Sequence, residues 1–461
     1  MHFTRKVFTA VGGVGILTAG VVTACGNANG SGGNNTGNAN DSKVTISIDL
    51  PLYNVNPQAQ KDFMNRVIAD FEKQNPNIKV NWQTYASASQ ENTTLQTSLA
   101  TKQGPDIFVL GSTFMPVAYS TKAFHVLSEQ DWNTVGGRSQ FLNSMLEMAG
   151  PSPDQDIGVP ADNMPYVMVY NKKMFQEVGI SSPPKTWTEF IEDAKKLTNP
   201  SKNQWGAVLD PADPYIPWRF CWTYARELGG DFISHDLKTA TLDSQASIQA
   251  LQFWMDWVTK YKIASPNDLT YKEADAIQAF EQGHAAMLMM EGTKVLPALD
   301  SSPVKNDYAV AEMPTVPYGM SSLPPGGEVV EGGLAGHYYA IPNYVTGNAY
   351  QASLKFIGFM SKVNQQRAKS EVDGYFPVTY DAYKGYARLD TPMMKPFVEA
   401  ANKVGPTPFS PVWGDLEVIY ASAVSKITNE LATNTFKPGD IEAVLRAANA
   451  QVQAKIDAGT K

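Results

Sequence analysis

From residue 43 onward the chain alternates between two hydrophobic periods, and that alternation leaves few folds open. Lys43 to Leu50 (KVTISIDL) places apolar residues at every second position among β-branched neighbours, the pattern of a strand. Gln58 to Gln74 then carries Phe63, Val67, Ile68 and Phe71 at spacings of three and four, an amphipathic helix ended by Asn75-Pro76. A second strand is expected at Ile78 to Tyr85. A third follows the turn Gly104-Pro105, at Asp106 to Leu110. Strand, helix, strand and strand again in this order predict a βαβ sheet with a parallel arrangement.

The same alternation continues down the chain. Tyr166 to Tyr170 and Trp205 to Leu209 read as strands, with a helix between them at Trp187 to Leu197. That helix is opened by Thr186, with Glu189 three residues on as a capping box. Longer apolar stripes predict helices at Ser244 to Lys260, Glu273 to Gln282, Ala349 to Ser361, Leu416 to Leu431 and Asp440 to Ile456. At 461 residues the chain far exceeds what one core organises, so two lobes are expected.

Composition narrows the class of partner. A formal charge of -8 and pI ≈ 5.3, with no basic run, argue against nucleic acid, which needs a concentrated basic face. Two Cys and five His exclude cysteine-rich zinc modules and disulfide frameworks.

The N-terminus reads as an export signal. Arg5 and Lys6 precede an uncharged apolar run, Val7 to Ala24. A membrane-spanning anchor is the competing reading, and Gly12, Gly13, Gly15 and Gly20 argue against it. The run closes on Val22-Thr23-Ala24-Cys25, which resembles the lipobox of bacterial lipoproteins, although leucine is the commoner first residue there. The resemblance implies a signal peptide at 1–24 and a lipid on Cys25. Residues 26 to 42 (GNANGSGGNNTGNANDS) have nothing to bury, so 25–43 is expected to be a lipidated cysteine and its tether.

A more specific likeness lies in the body. Asn171-Lys172-Lys173-Met174-Phe175, then Gly179 and Pro183-Pro184-Lys185-Thr186-Trp187-Thr188-Glu189-Phe190, has a local logic of its own: a glycine helix end, an extended proline bridge and a capped helix. Preceded by Tyr170, it also resembles a segment of extracellular solute-binding proteins of the maltose-binding type (family 1), which serve bacterial ABC importers. Further segments resemble that family in the family's order: Gly104-Pro105-Asp106-Ile107, Gly158-Val159-Pro160, Phe280 to Met287, Gly332-Gly333 with Tyr339-Ala340-Ile341-Pro342, and Asp373 to Val378. The resemblance implies an α/β, two-lobe periplasmic-binding-protein-like fold, each lobe a sheet flanked by helices, joined by crossing hinge strands. Lobe I is expected to be 44–160 plus 332–372, and lobe II 161–331 plus 373–461.

Sugars present hydroxyls in the ring plane and apolar faces above and below it, so a sugar site needs aromatic platforms with donors and acceptors at their edges. Candidates follow predicted strands, where open α/β sheets bind ligands. Tyr215 and Trp218, after the strand ending at Leu209, resemble an aromatic segment of maltose-binding members, and Trp413 a late tryptophan that stacks on sugar there. Core packing is the alternative reading of both tryptophans. Ser112 and Thr113 follow the third strand, where that family contacts hydroxyls and often carries an acid. Asp162 and Asn163 fall on the first crossing, Glu331 at the second and Tyr375 at the third. Tyr53 follows the first strand, and Glu291 lies where relatives often carry a tryptophan.

Catalysis is not expected. No G-x-S-x-G, HExxH or Walker loop occurs, and the two S-x-x-K spacings, at Ser182 and Ser302, each have a proline after the serine. No cofactor or metal is implied. The function expected is that of a monomeric substrate-binding lipoprotein, held on the outer face of the cell membrane of a Gram-positive cell. It would capture an oligosaccharide by hinge closure and pass it to ABC permease subunits. Glycerol phosphate or a polyamine is the alternative solute: Arg219 and Lys294 stand beside the candidates for the first, and Asp162, Glu291 and Glu331 would suit the second.

Overall fold

The computed structural model describes residues 43–52, 57–85, 88–214, 216–293, 295–331, 335–403 and 405–459. Cys25, the tether, Tyr53, Tyr215, Lys294 and Gly332-Gly333 lie outside the described residues.

Val44–Pro51 (β1) and Ile78–Tyr85 (β2) pair in parallel from Val44↔Ile78 to Pro51↔Tyr85. Between them Pro57–Gln74 (α1) buries Phe63, Met64, Val67 and Phe71 against the sheet. Ala88–Thr101 (α2) then returns the chain to Ile107–Gly111 (β3), which lies parallel to β1 on its other side. This is the βαβ arrangement that the periodicity predicts.

The parallel order stops there. Gly158–Asn163 (β4) and Tyr166–Asn171 (β5) belong to different sheets, so the short link between them carries the chain across. β5 is flanked by Met287–Glu291 (β6) and Tyr308–Ala311 (β7), both antiparallel to it, in a second sheet of order β6-β5-β7. Gly336–Ala340 (β8) then re-enters the first sheet between β3 and β4, antiparallel to both, completing the order β2-β1-β3-β8-β4. Because β8 arrives from the second lobe at the carboxyl end of β3, it must run against β3.

Helices cover each sheet separately. On the second, Trp187–Leu197 (α3), Pro217–Glu227 (α4), Gln245–Thr259 (α5) and Glu273–Glu281 (α6) form the lobe with the late helices Trp413–Ala432 and Asp440–Gly459. On the first, Gly347–Met360 (α7) and Val363–Asp373 (α8) pack with α1. Numbered in order, Trp413–Ala432 is α9 and Asp440–Gly459 is α10. The cores sort accordingly: Ile46, Phe71, Phe108, Tyr338 and Phe356 share one, while Trp187, Trp218, Trp257 and Trp413 share another. The result is the two-lobe α/β architecture the sequence implies.

One predicted strand is absent. Trp205 to Leu209 is extended beside β6, with a single bridge, Trp205↔Ala285. Gly206 fits so closely over Ala194 that a Cβ there would lie 2.2 Å from its carbonyl oxygen. Ala207 then turns its N–H to the Ile263 carbonyl at 3.0 Å instead of joining the ladder.

Candidate functional site

Strand register assembles the site. Gly111, the last residue of β3, stands opposite His337 of β8, and His337 also stands opposite Asp162 of β4. The turn Ser112–Phe114, the first crossing and the second crossing therefore share one end of the first sheet, at the carboxyl end of β3. Gly336 makes the approach possible, since a Cβ there would sit 2.4 Å from the Asp162 carbonyl oxygen. The third crossing joins through the bridge Asn163↔Phe376, after Gly374 turns the chain out of α8 at φ 75.

The second sheet contributes its own end. Tyr166 at the start of β5 pairs with Glu291 at the end of β6, and Gly292 donates to the Pro165 carbonyl. Thr293 donates its N–H to the Gly374 carbonyl at 3.2 Å, which brings the exit of β6 to the third crossing and Tyr375.

The electrostatics of this junction are mostly acidic. Arg219 of α4 forms a salt bridge with Glu291 and lies over the Trp218 ring at 5.8 Å. Burial raises the Glu417 carboxyl of α9 to about 7, although Arg219, Thr113 and Trp413 pull the other way. Burial, then repulsion from Glu273 and Asp213, raises Asp210 to about 7. On the first lobe burial raises Glu91 of α2 to about 7, against the pull of His337, and raises Asp49 of β1 to about 6. Asp49 Oδ1 and Glu91 Oε1 are buried without a hydrogen-bond partner.

The crossings hold a compact ion network. Asp162, 1% exposed, accepts from Lys369 Nζ at 2.6 Å, and its other oxygen accepts the His337 backbone N–H at 3.0 Å. His337 Nδ1 lies 2.8 Å from that same oxygen. Burial opposes ionisation of Asp162, yet His337 and Lys369 outweigh it and hold the carboxyl well below the ordinary range.

The sequence candidates fall into three groups. Ser112, Thr113, Asp162, Asn163, Glu291 and Tyr375 stand around the junction of the crossings with the two sheet ends. Asn163 is fully buried, and neither side-chain amide atom has a partner. Trp218 and Trp413, 1% and 0% exposed, meet edge to face at 5.3 Å inside the second core and present no free platform. Trp218 sits in the first turn of α4, not in a loop, and Trp413 opens α9, a helix that packs against the turn Ser112–Phe114. Glu331 belongs to a third place. It accepts from Lys403 Nζ at 3.0 Å and lines a cavity of ≈ 670 Å³ with Ser182 to Lys185, Glu312 and Thr315. Burial raises it to about 7 against the pull of Lys403.

Glu91, Asp210, Glu417, His337 and Lys369 were not legible as candidates. For Glu417 a signal existed, since it stands one turn after Trp413 on the same helix face. Among the described residues no group of three His, Cys, Asp or Glu could hold a metal ion.

Residues 56–366 match the family described as bacterial extracellular solute-binding protein. A binding protein of Brucella abortus is 21% identical over 301 residues, covering 64% of this chain and 67% of that one. The sn-glycerol-3-phosphate-binding periplasmic protein UgpB of Rhizobium meliloti is 24% identical over 252 residues, covering 54% of this chain and 55% of that one. In structure, maltose-bound T. maritima MalE3 superposes with a TM-score of 0.72 at 20% identity, over 89% of this chain and 99% of that one.

Proposed function

The chain belongs to the bacterial extracellular solute-binding proteins, which bind substrates and are not enzymes, and from that membership we propose that it captures a carbohydrate, an oligosaccharide, by hinge closure and delivers it to a membrane permease. The observation that carries this reading is an excess of hydrogen-bond acceptors at the junction. Asp49 Oδ1 and Glu91 Oε1 are buried without a hydrogen-bond partner, and burial raises the carboxyls of Asp49, Glu91, Asp210 and Glu417 alike. Sugar hydroxyls supply donors without adding charge. A phosphate would need a free cationic fork, and the Arg219 guanidinium, although its Nε is unpartnered, already has its charge paired by Glu291 through Nη1. That weighs against glycerol phosphate, the solute named for the UgpB relative.

In this reading the first lobe offers Ser112, Thr113 and Glu91, the second Glu291, Glu417 and Asp210, and the crossings Asp162, Asn163 and Tyr375; Tyr53 and Tyr215 are proposed from the sequence alone. Closure brings the two sets together, and solute shifts the open and closed forms by its differential affinity for them. The lobe boundaries proposed are 44–160 with 332–372, and 161–331 with 373–461. We also assign the lipid anchor to Cys25, on the lipobox-like run before it and the tether after it. Among the described residues no helix is long and apolar enough to cross a membrane.

The test is thermal unfolding of the protein without residues 1–25 against mono- and oligosaccharides, polyamines and glycerol phosphates. A solute present at a hundredfold its Kd adds about 2.7 kcal/mol to stability. A shift with one saccharide class supports the proposal. A shift with glycerol phosphate or a polyamine alone overturns the carbohydrate reading.

A further inference from the structure

One side chain ties all three crossings together. Lys369, four residues before the C-terminal Asp373 of α8, donates from Nζ to Asp162 Oδ2 and to Asp373 Oδ2, each at 2.6 Å. Asp162 stands at the entry to the first crossing, and its second oxygen takes the backbone N–H of His337 at the exit of the second. Asp373 begins the third crossing, and its Oδ1 accepts the Tyr375 N–H at 2.9 Å. The Tyr375 ring lies 5.7 Å from the ammonium and 5.9 Å from the His337 ring. A single ammonium thus reaches every crossing, directly or through one carboxylate.

Packing alone does not call for this arrangement. An ammonium and two carboxylates are costly to take out of water, and apolar side chains of similar volume would fill the space at less expense. A helix-internal Lys369–Asp373 pair would satisfy the lysine within α8. The second bond, to a residue 207 positions away on another strand, adds long-range geometry instead. What it fixes is the relative placement of the backbone segments that pass between the two sheets.

We infer that Lys369 is the positioning residue of the solute site, holding the three crossings, and with them Asp162 and Tyr375, in the arrangement that binding requires. This rests on the proposed reading that the crossings border the solute. The lysine does not touch solute; it acts through the carboxylate and the ring it holds.

The experiment separates position from stability. Spin labels are placed at Gln130→Cys and Gln451→Cys, exposed residues of the first and second lobes, in a Cys25→Ser background that leaves buried Cys221 as the only other thiol. Interlobe distance distributions are recorded without solute, and affinities for maltose, maltotriose and N,N′-diacetylchitobiose are measured by calorimetry. K369M alone strands two buried carboxylates, so the variant to read is K369M/D373N, with K369R as the conservative partner. The expected result is a broadened or shifted distribution in K369M/D373N and at least tenfold weaker binding of whichever saccharide the parent binds, with most of both recovered in K369R. A parental distribution in K369M/D373N overturns the inference, as does parental affinity for a bound saccharide. If the parent binds none of the three, the sugar reading loses support and the distance distributions alone decide for or against Lys369.

Discussion

The indole Nε1 of Trp187 donates to Glu227 Oε2 at 3.0 Å, inside the core of the second lobe. Glu227 is buried, and burial raises its carboxyl to about 9, against the pull of that hydrogen bond. Between the unfolded value and about 9 the folded state binds more protons than the unfolded one. Stability from this group is therefore present at low pH and lost as pH rises toward 9. Glu227→Gln keeps an acceptor for the indole and removes the titration. The expected outcome is a variant more stable than the parent at pH 9, with the gap closing by pH 5, read by thermal denaturation across that range.

The Arg219–Glu291 salt bridge sets the charge at the junction. Glu291→Gln leaves the guanidinium beside Glu417 and without its main partner. We expect a cost of about 1–3 kcal/mol, below that of breaking a fully buried pair because both side chains keep some exposure. We also expect a new thermal shift with sn-glycerol 3-phosphate. No shift with that phosphate would mean that the salt bridge does not decide the class of solute.

Trp413 packs edge to face against Trp218 and Trp222, with ring centroids 5.3 and 6.1 Å away. Trp413→Ala removes a large buried ring from the core and should cost about 3–5 kcal/mol. A role as a sugar platform predicts, in addition, lost affinity measured where the variant is still folded. If destabilisation is seen without weaker saccharide binding, Trp413 is core alone. Thr113→Val replaces the hydroxyl facing Glu417 by a methyl of similar size, so it probes the same junction at little cost to packing.

The fold was largely legible because local rules agree with the tertiary ones. β2 and α3 begin and end where the periodicity places them, and Thr186 and Glu189 form the predicted capping box. Each signal is contained within a dozen residues. The site is legible only in part, for a physical reason. Whether the face of Trp218 meets protein or solvent depends on Trp413, which no local pattern links to it. Lys369 lies in a polar helix, and its decisive partner is 207 residues away. Residues at strand ends, such as Ser112 and Asp162, could be proposed from the sequence because topology alone puts strand ends together.

Gly336 offers a direct test of the crossings. A Cβ at this position would come within 2.4 Å of the Asp162 carbonyl and 2.9 Å of the Met145 side chain. Met145 can move, but the carbonyl belongs to β4, which pairs with β8 at this point. Gly336→Ala must therefore push the first two crossings apart, at a cost of about 1–3 kcal/mol by the measure of other overpacked sites. The displaced strand carries the His337 N–H away from Asp162, so the ion network should loosen as well. Asp162 then loses part of the pull that keeps its carboxyl ionised, and its folded-state pKa rises toward the unfolded value. A depressed carboxyl contributes stability that is present above its unfolded pKa and lost as pH falls through the folded one. The variant should therefore show a lower midpoint at pH 7 and a shallower loss of stability on acidification below pH 4, measured by thermal unfolding. An equal drop at both pH values would show that the strain is confined to packing and does not reach the network.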